Sequence, residues 1–310
     1  MIEDLRNYSP EDIISANLRE TGARAAMLNE QERAHLRELT AELIKGAENL
    51  QELVSSLPDL LPSDIFGESQ RAYLPRNTLR RLTFCRELKL LFNADQKEFS
   101  EQFLSDTDGD VPAFDRIAYQ RSSYADTAYL QFATLLRDPR AVYTHSFPAA
   151  CEEIYNELCE YCILPLENSS EGPLNTFARL IDRFGLRIAA TTDVTANDGT
   201  RTTCFALLRR TVFPLLGARD RAHFLEIAIP SDPSDSLAAV LLAAQLCEVK
   251  LCKVNTRQSP NDGRLVAHAI FQASDEQLTD LMLYLATDPI EYETVGLYSH
   301  VSEKTTQSRR

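Results

Sequence analysis

Along the first third of the chain, apolar positions recur at steps of three and four. Leu36, Leu39, Leu43, Ala47, Leu50, Val54 and Leu57 form one stripe, which predicts a long amphipathic helix. Its start is marked at Asn29, with Glu32 three residues on as in a capping box. An earlier helix start is written in Ser9-Pro10-Glu11-Asp12: a capping hydroxyl, a proline in the first turn, then acids facing the positive helix end. "LPDLLPSDIFGESQRAYLP" breaks the pattern, and helix resumes over 77–92 and 96–104. Residues 1–112 therefore read as an all-α helical domain, closed by the linker-like "SDTDGDVPAF".

The period then shortens. "RIAYQ" (116–120), "RAVYTH" (140–145) and "YCILPL" (161–166) read as strands, separated by helices over 124–136 and 148–160 and followed by a helix over 173–184. "LRIAATTDV" and "RTTCFALLRR" flank the turn sequence Asn197-Asp198-Gly199 and predict an antiparallel hairpin. This alternation predicts one α/β lobe over 113–212, with a mostly parallel sheet and helices on its faces. The last third reads strand 223–230, helix 235–246, strand 248–256, strand 264–273, helix 274–287 and strand 292–299. That is βαββαβ, a ferredoxin-like module over 220–302, followed by a polar tail at 303–310. The fold class is thus α+β and multidomain.

Charge and cysteine content narrow the field. A net charge of −14 argues against nucleic acid or an anionic membrane as partner, because both present phosphates that repel it, so neither is expected. The longest apolar run, "LAAVLLAA", is far too short to span a bilayer, and the acidic amino terminus carries no signal-peptide core; a cytoplasmic location is expected. The seven cysteines read as reduced thiols. Cys159 and Cys162 form a lone CxxC without a second pair of ligands, so no metal is assigned.

The chemistry-bearing stretch is "ILPLENSSEGPLNT" (163–176), where a buried strand ends in a polar patch before a helix. In open α/β sheets ligands sit at such strand ends. The plainer reading is that Ser169, Ser170 and Glu171 cap the helix opened by Pro173. The residues resemble the prephenate dehydratase family: Glu167, Asn168, Ser169 and Gly172 match its ENS-x-x-G motif letter for letter. The similarity runs upstream through "RIAYQRSSYADTAYLQF" and "FPAACEEIYNELCEY", and downstream to the βαββαβ module, which resembles the family's ACT domain. The resemblance implies a lobe of periplasmic-binding-protein type and conversion of prephenate to phenylpyruvate on the route to phenylalanine, without cofactor. It also implies phenylalanine sensing and homodimerisation through the ACT domain.

Three departures bear on that expectation. The family places a complete second lobe where this chain has six residues, 195–200, so the lobe is truncated. The family's Thr-Arg-Phe motif falls on Thr203, Cys204 and Phe205, so the arginine expected to hold a substrate carboxylate is a cysteine. The glycine-containing loop after the first strand is replaced by "QRSSY". At the sensor end, the effector stretches correspond to Ser236, Leu237 and Ala238 and to Asn255, Thr256 and Arg257, followed by Gln258. The reading that follows is a catalytically silent relative acting as an amino-acid sensor or regulatory scaffold, with a phenylalanine-like effector. Two alternatives stand beside it: a working dehydratase completed by another chain or by the helical domain, and a chorismate mutase carried by 1–110.

Overall fold

The computed structural model describes residues 30–45, 53, 57, 61, 74–91, 114–196, 199–212, 215, 223–230, 235–259, 263–287 and 290–301. The expected helices at 9–12 and 96–104 and the polar tail lie outside the described residues. Two compact units emerge, each assembled from separate stretches of chain.

The first unit is helical. It contains α1 (Glu30–Ile44), α2 (Leu74–Leu91), α6 (Asp235–Leu246) and α7 (Asp275–Thr287). α1 ends at Ile44, short of the long helix expected to reach Leu57, and Ala47, Leu50 and Val54 lie outside the described residues. Leu36 and Leu57 are buried with Leu53, Phe84, Leu88 and Leu283, while Leu39 and Leu43 pack at the margin. α2 packs against α1, α6 and α7. Polar clasps fix the arrangement. Arg37 Nε donates to Glu87 Oε2 at 2.8 Å, Lys89 Nζ lies 2.6 Å from Asp280 Oδ1, and Arg81 donates to the Thr287 carbonyl. Thus the two helices of the βαββαβ sequence share a unit with the amino-terminal helices.

The second unit is built on one mixed sheet. Its strands are β1 (Arg116–Gln120), β2 (Arg140–Thr144), β3 (Tyr161–Asn168), β4 (Gly172–Pro173), β5 (Arg187–Thr195), β6 (Thr202–Arg209), β7 (His223–Pro230), β8 (Lys250–Gln258), β9 (Leu265–Ala273) and β10 (Glu293–Val301). The order is β2-β1-β3-β6-β5-β10-β7-β9-β8, with β4 beside β3. β1 pairs in parallel with β2 and β3, and the expected hairpin β5–β6 is antiparallel. The last four strands in that order, β10-β7-β9-β8, have the 4-1-3-2 arrangement of a ferredoxin-like module. They do not form a separate sheet: β10 runs parallel to β5 and joins them to the lobe.

Three helices cover the lobe's strands: α3 (Ser123–Phe132), continued by a 3₁₀ turn at Ala133–Leu135, α4 (Phe147–Tyr155) and α5 (Asn175–Arg183). Strand alternation divides the apolar residues between two cores. Ile117, Tyr161, Ile163, Phe205 and Leu207 face α3. Ala118, Cys162, Leu164, Ala206 and Leu208 join Ile154 of α4 and Ile181 of α5. Burial on both faces explains why the central strand reads as a continuous apolar run.

Several element limits differ from expectation. α4 stops at Tyr155 rather than at 160, because Asn156 leaves helical geometry and Glu157 takes φ +60°. β8 starts two residues late because Glu248, at φ +59°, turns the chain after α6. Pro173 is not in a helix: it belongs to β4, and α5 begins two residues later. The loop "QRSSY" starts α3 through Ser122, whose Oγ accepts the Ala125 N–H at 3.1 Å. No helix among the described residues is long and apolar enough to cross a membrane.

The β5–β10 join is close. A Cβ on Gly296 would lie 2.7 Å from Ile188 Cβ and 2.9 Å from the Ile188 carbonyl oxygen. Gly296→Ala is therefore expected to destabilise the protein by about 1–3 kcal/mol, the usual cost of overpacking. Urea denaturation measures it; an unchanged midpoint would mean that these strands do not meet as described.

Candidate functional site

The motif stretch forms a tight hairpin at the end of β3. Asn168 organises it: its Oδ1 accepts the Ser170 N–H at 2.9 Å and its carbonyl accepts the Glu171 N–H at 3.2 Å. Gly172 takes φ +72°, a conformation that favours glycine, and pairs back to Asn168 through β4. Ser169 stitches the turn to the start of β6. Its N–H donates to the Thr202 carbonyl at 2.9 Å, and its Oγ accepts the Thr202 N–H at 3.0 Å. Thr203 lies opposite Asn168, with Asn168 Nδ2 3.5 Å from Thr203 Oγ1.

The expectation that Ser169, Ser170 and Glu171 cap the following helix is thereby overturned. The residue before α5 is Leu174, with no side-chain cap bond, and the polar groups are spent on the β3–β4 turn and on β6. Competition for one set of donors decided the outcome: the serine that satisfies β6 is not available to a helix end.

Glu167 has a different fate from its neighbours. The register of β3 against β6 slips between Pro165 and Glu167. This bulge accommodates a proline in a central strand and turns Glu167 onto the face that carries α5. There it lies opposite Cys204 and lines a cavity of about 370 Å³. Lys253 of β8 approaches Glu167 Oε2 to 3.7 Å. Burial, aided by Asp193 and Glu167, pushes the Cys204 thiol up to about 12, so it is protonated at neutral pH.

The cavity lies between α5 and the strands β3, β6, β5, β10, β7, β9 and β8. Ile181, Ile188, Ile270 and Val295 supply apolar wall, with the stacked rings of Phe224 and Tyr298, 5.7 Å between centroids. Polar groups are set into it in pairs. His268 Nδ1 is 3.3 Å from Glu226 Oε1, and Thr191 Oγ1 is 3.1 Å from His300 Nδ1. Asp182 stands on α5. Burial raises its carboxyl above the ordinary range against the pull of His268, and Glu293 adds to the rise while Arg257 and Arg187 oppose it. Burial likewise raises the Tyr298 hydroxyl, and neighbouring Glu226 adds to it.

The site residues named from the sequence are partly gathered here. Glu167, Asn255 and Arg257 line this one cavity, although Glu167 belongs to the motif of the lobe and the other two to the expected effector stretches. Thr256, on the alternate face of β8, lines an adjoining cavity of about 690 Å³, which Arg257 shares. Ser236, Leu237 and Ala238 form the first turn of α6, in the helical unit. Glu226, His268, Asp182 and Lys253 were not picked out. A signal existed for the first two: each interrupts an otherwise apolar strand, "HFLEIAIP" and "RLVAHAIFQA", and polar residues on buried strand faces are the informative exceptions. Cys159 and Cys162 are both buried on the α4 side, and burial raises the Cys159 thiol to about 11. No group of three or more His, Cys, Asp or Glu residues gathers as a metal site among the described residues.

No family model matches the chain, and no curated protein matches it. Among solved structures, a prephenate dehydratase from Streptococcus mutans is similar at 18% identity and a TM-score of 0.48, over 60% of this chain and 98% of its own. A prephenate dehydratase from Arthrobacter aurescens in complex with L-Phe gives 13% and 0.43, over 59% of this chain and 90% of its own. A quorum-quenching acylase gives 18% and 0.43, over 59% and 94%. These are distant likenesses, and the functional reading rests on the residues of this chain.

The two cavity thiols should differ in reactivity. Cys252, exposed on β8, is expected to react with iodoacetamide at pH 8, while Cys204 stays unmodified in the folded protein. Peptide mass mapping reads the result; rapid labelling of Cys204 would show that it is neither protonated nor shielded.

Proposed function

We propose that this chain is a prephenate dehydratase-like protein connected with aromatic amino-acid biosynthesis that does not turn over prephenate. It acts instead as an amino-acid sensor or regulatory protein, with a phenylalanine-like effector. The observation that carries this reading is the environment of Glu167. Holding a substrate carboxylate requires a cation near the motif, and an acid must assist the departing hydroxide. The facing β6 position offers a protonated thiol at Cys204, and the nearby Lys253 is matched with Glu167 itself. The six residues between the strands β5 and β6 supply no second wall.

Amino-acid binding is supported by what the cavity offers. Arg257 can hold a carboxylate, Asp182 or Glu226 an ammonium group, and Phe224, Ile270 and Val295 an apolar side chain. Homodimerisation is supported by β8, the last strand in the sheet order, where Leu251 is 43% and Val254 39% exposed. The mutase alternative loses support at Arg37, whose guanidinium is engaged by Glu87 rather than presented to a dianion.

Purified protein is expected to form no phenylpyruvate from prephenate, and phenylalanine at a hundredfold excess over Kd should raise Tm by roughly 5 °C or more. Arg257→Ala should abolish that shift. Turnover that disappears in Glu167→Ala would overturn the silent reading; no Tm response to any amino acid would overturn the sensor.

A further inference from the structure

The adjoining cavity has a different chemical character from the one that holds Glu167. It is the larger of the two, about 690 Å³, and it receives a guanidinium from each of three elements: Arg179 from α5, Arg187 from β5 and Arg257 from β8. Among the described residues two carboxylates face them, Asp182 and Glu293. Arg187 Nη2 is 2.8 Å from Glu293 Oε1, but Glu293 is 62% exposed and held from one side only. Arg179 and Arg257 form no ion pair among the described residues. Asp182 responds electrostatically to both Arg187 and Arg257, so these charges converge on one volume. In a chain of net charge −14, a cavity with more guanidiniums than carboxylates is a local reversal of sign. Asn175, Thr256, Gln258 and Ser259 add neutral hydrogen-bonding groups around it.

We propose that this cavity binds the phosphoryl group of a small metabolite. Guanidinium forks match phosphate oxygens bidentately, and three of them offer more donors than the two oxygens of a carboxylate can accept. A phosphomonoester carries close to two negative charges at neutral pH, enough to balance the cationic surplus and to displace the exposed Glu293 carboxylate from Arg187. The site is separate from the amino-acid reading at its core, because Arg179 and Arg187 line this cavity and not the first. Arg257 stands on the wall common to both, so an anion here competes for the same guanidinium that an amino-acid carboxylate would use. The ligand is thereby placed to antagonise an effector in the first cavity.

The test is calorimetry and thermal melting of the full chain with inorganic phosphate and glycerol 3-phosphate, against acetate and succinate at matched ionic strength. The phosphates are expected to bind and to raise Tm, with the carboxylates at least tenfold weaker. Arg179→Ala, on an exposed helix position, should weaken phosphate binding at least tenfold while leaving any phenylalanine response intact. Arg257→Ala should remove both. Equal shifts with acetate, or phosphate binding unchanged in both variants, would overturn the proposal. Phosphate binding by an unaltered chain that gives no phenylalanine response would overturn only the sensor reading.

Discussion

The parallel pairing of β5 with β10 is the constraint on which the rest of the second unit depends. It turns what would be two sheets into one, and the cavity exists only because of it. Glu167 and Cys204 come from the lobe side of that seam, whereas Phe224, Glu226, His268 and Tyr298 come from the other. The seam tolerates no side chain at Gly296, where the backbone of β10 passes against Ile188. A bulge beside that contact, between Gly296 and Ser299, then restores the register so that His300 pairs with Thr191 and Val301 with Thr192. Thr192 seals the far side, donating to the Val301 carbonyl and meeting Gln131 of α3.

Bulges also decide which residues are functional candidates at all. Strict alternation would place Glu167 on the same face as Tyr161 and Ile163, inside the α3 core, where an unpaired carboxylate would be costly. One extra residue after Pro165 moves it to the α5 face. The shift between Ile188 and Ala190 in β5 has the matching effect, letting both Ala189 and Ala190 join the α3 core and sending Thr191 to the cavity. Pro165 in this buried strand is thus a device for aiming the next carboxylate.

Much of this architecture could be read from periodicity. The helical stripe at Leu36, Leu39 and Leu43, the three parallel strands, the β5–β6 hairpin and the βαββαβ order all follow from spacing and turn residues. What spacing could not convey is long-range: that β10 would add to β5, and that Ser169 would bond to Thr202 rather than to a helix end. Both depend on partners far along the chain, and local propensity is blind to them. The motif letters Asn168, Ser169, Gly172 and Thr203 were legible as a group and are indeed assembled together, but as the frame of a turn. Glu167 alone of that group reaches the cavity. Glu226 and His268 were readable only as anomalies, polar residues within apolar strands, and their meaning waits on the sheet that brings them to 3.3 Å.

The charges of the two cavities complete the argument. In the first, Lys253 lies beside Glu167 and His268 beside Glu226, while Asp182 and Arg257 complete the charged lining. A site in which Glu167, Asp182 and Glu226 face Lys253 and Arg257 gains little by gathering a bare anion. It suits a ligand that is itself dipolar, or one whose binding is carried by the apolar wall. Among the described residues the second cavity holds three guanidiniums against two carboxylates. Arg257 belongs to both. Whatever binds in either cavity changes the field felt by that one guanidinium, so occupation of the two is energetically linked without any movement of the backbone. By reciprocity such a linkage would act equally in both directions, and β8, rather than the motif loop at the end of β3, is the element on which the two proposed sites meet.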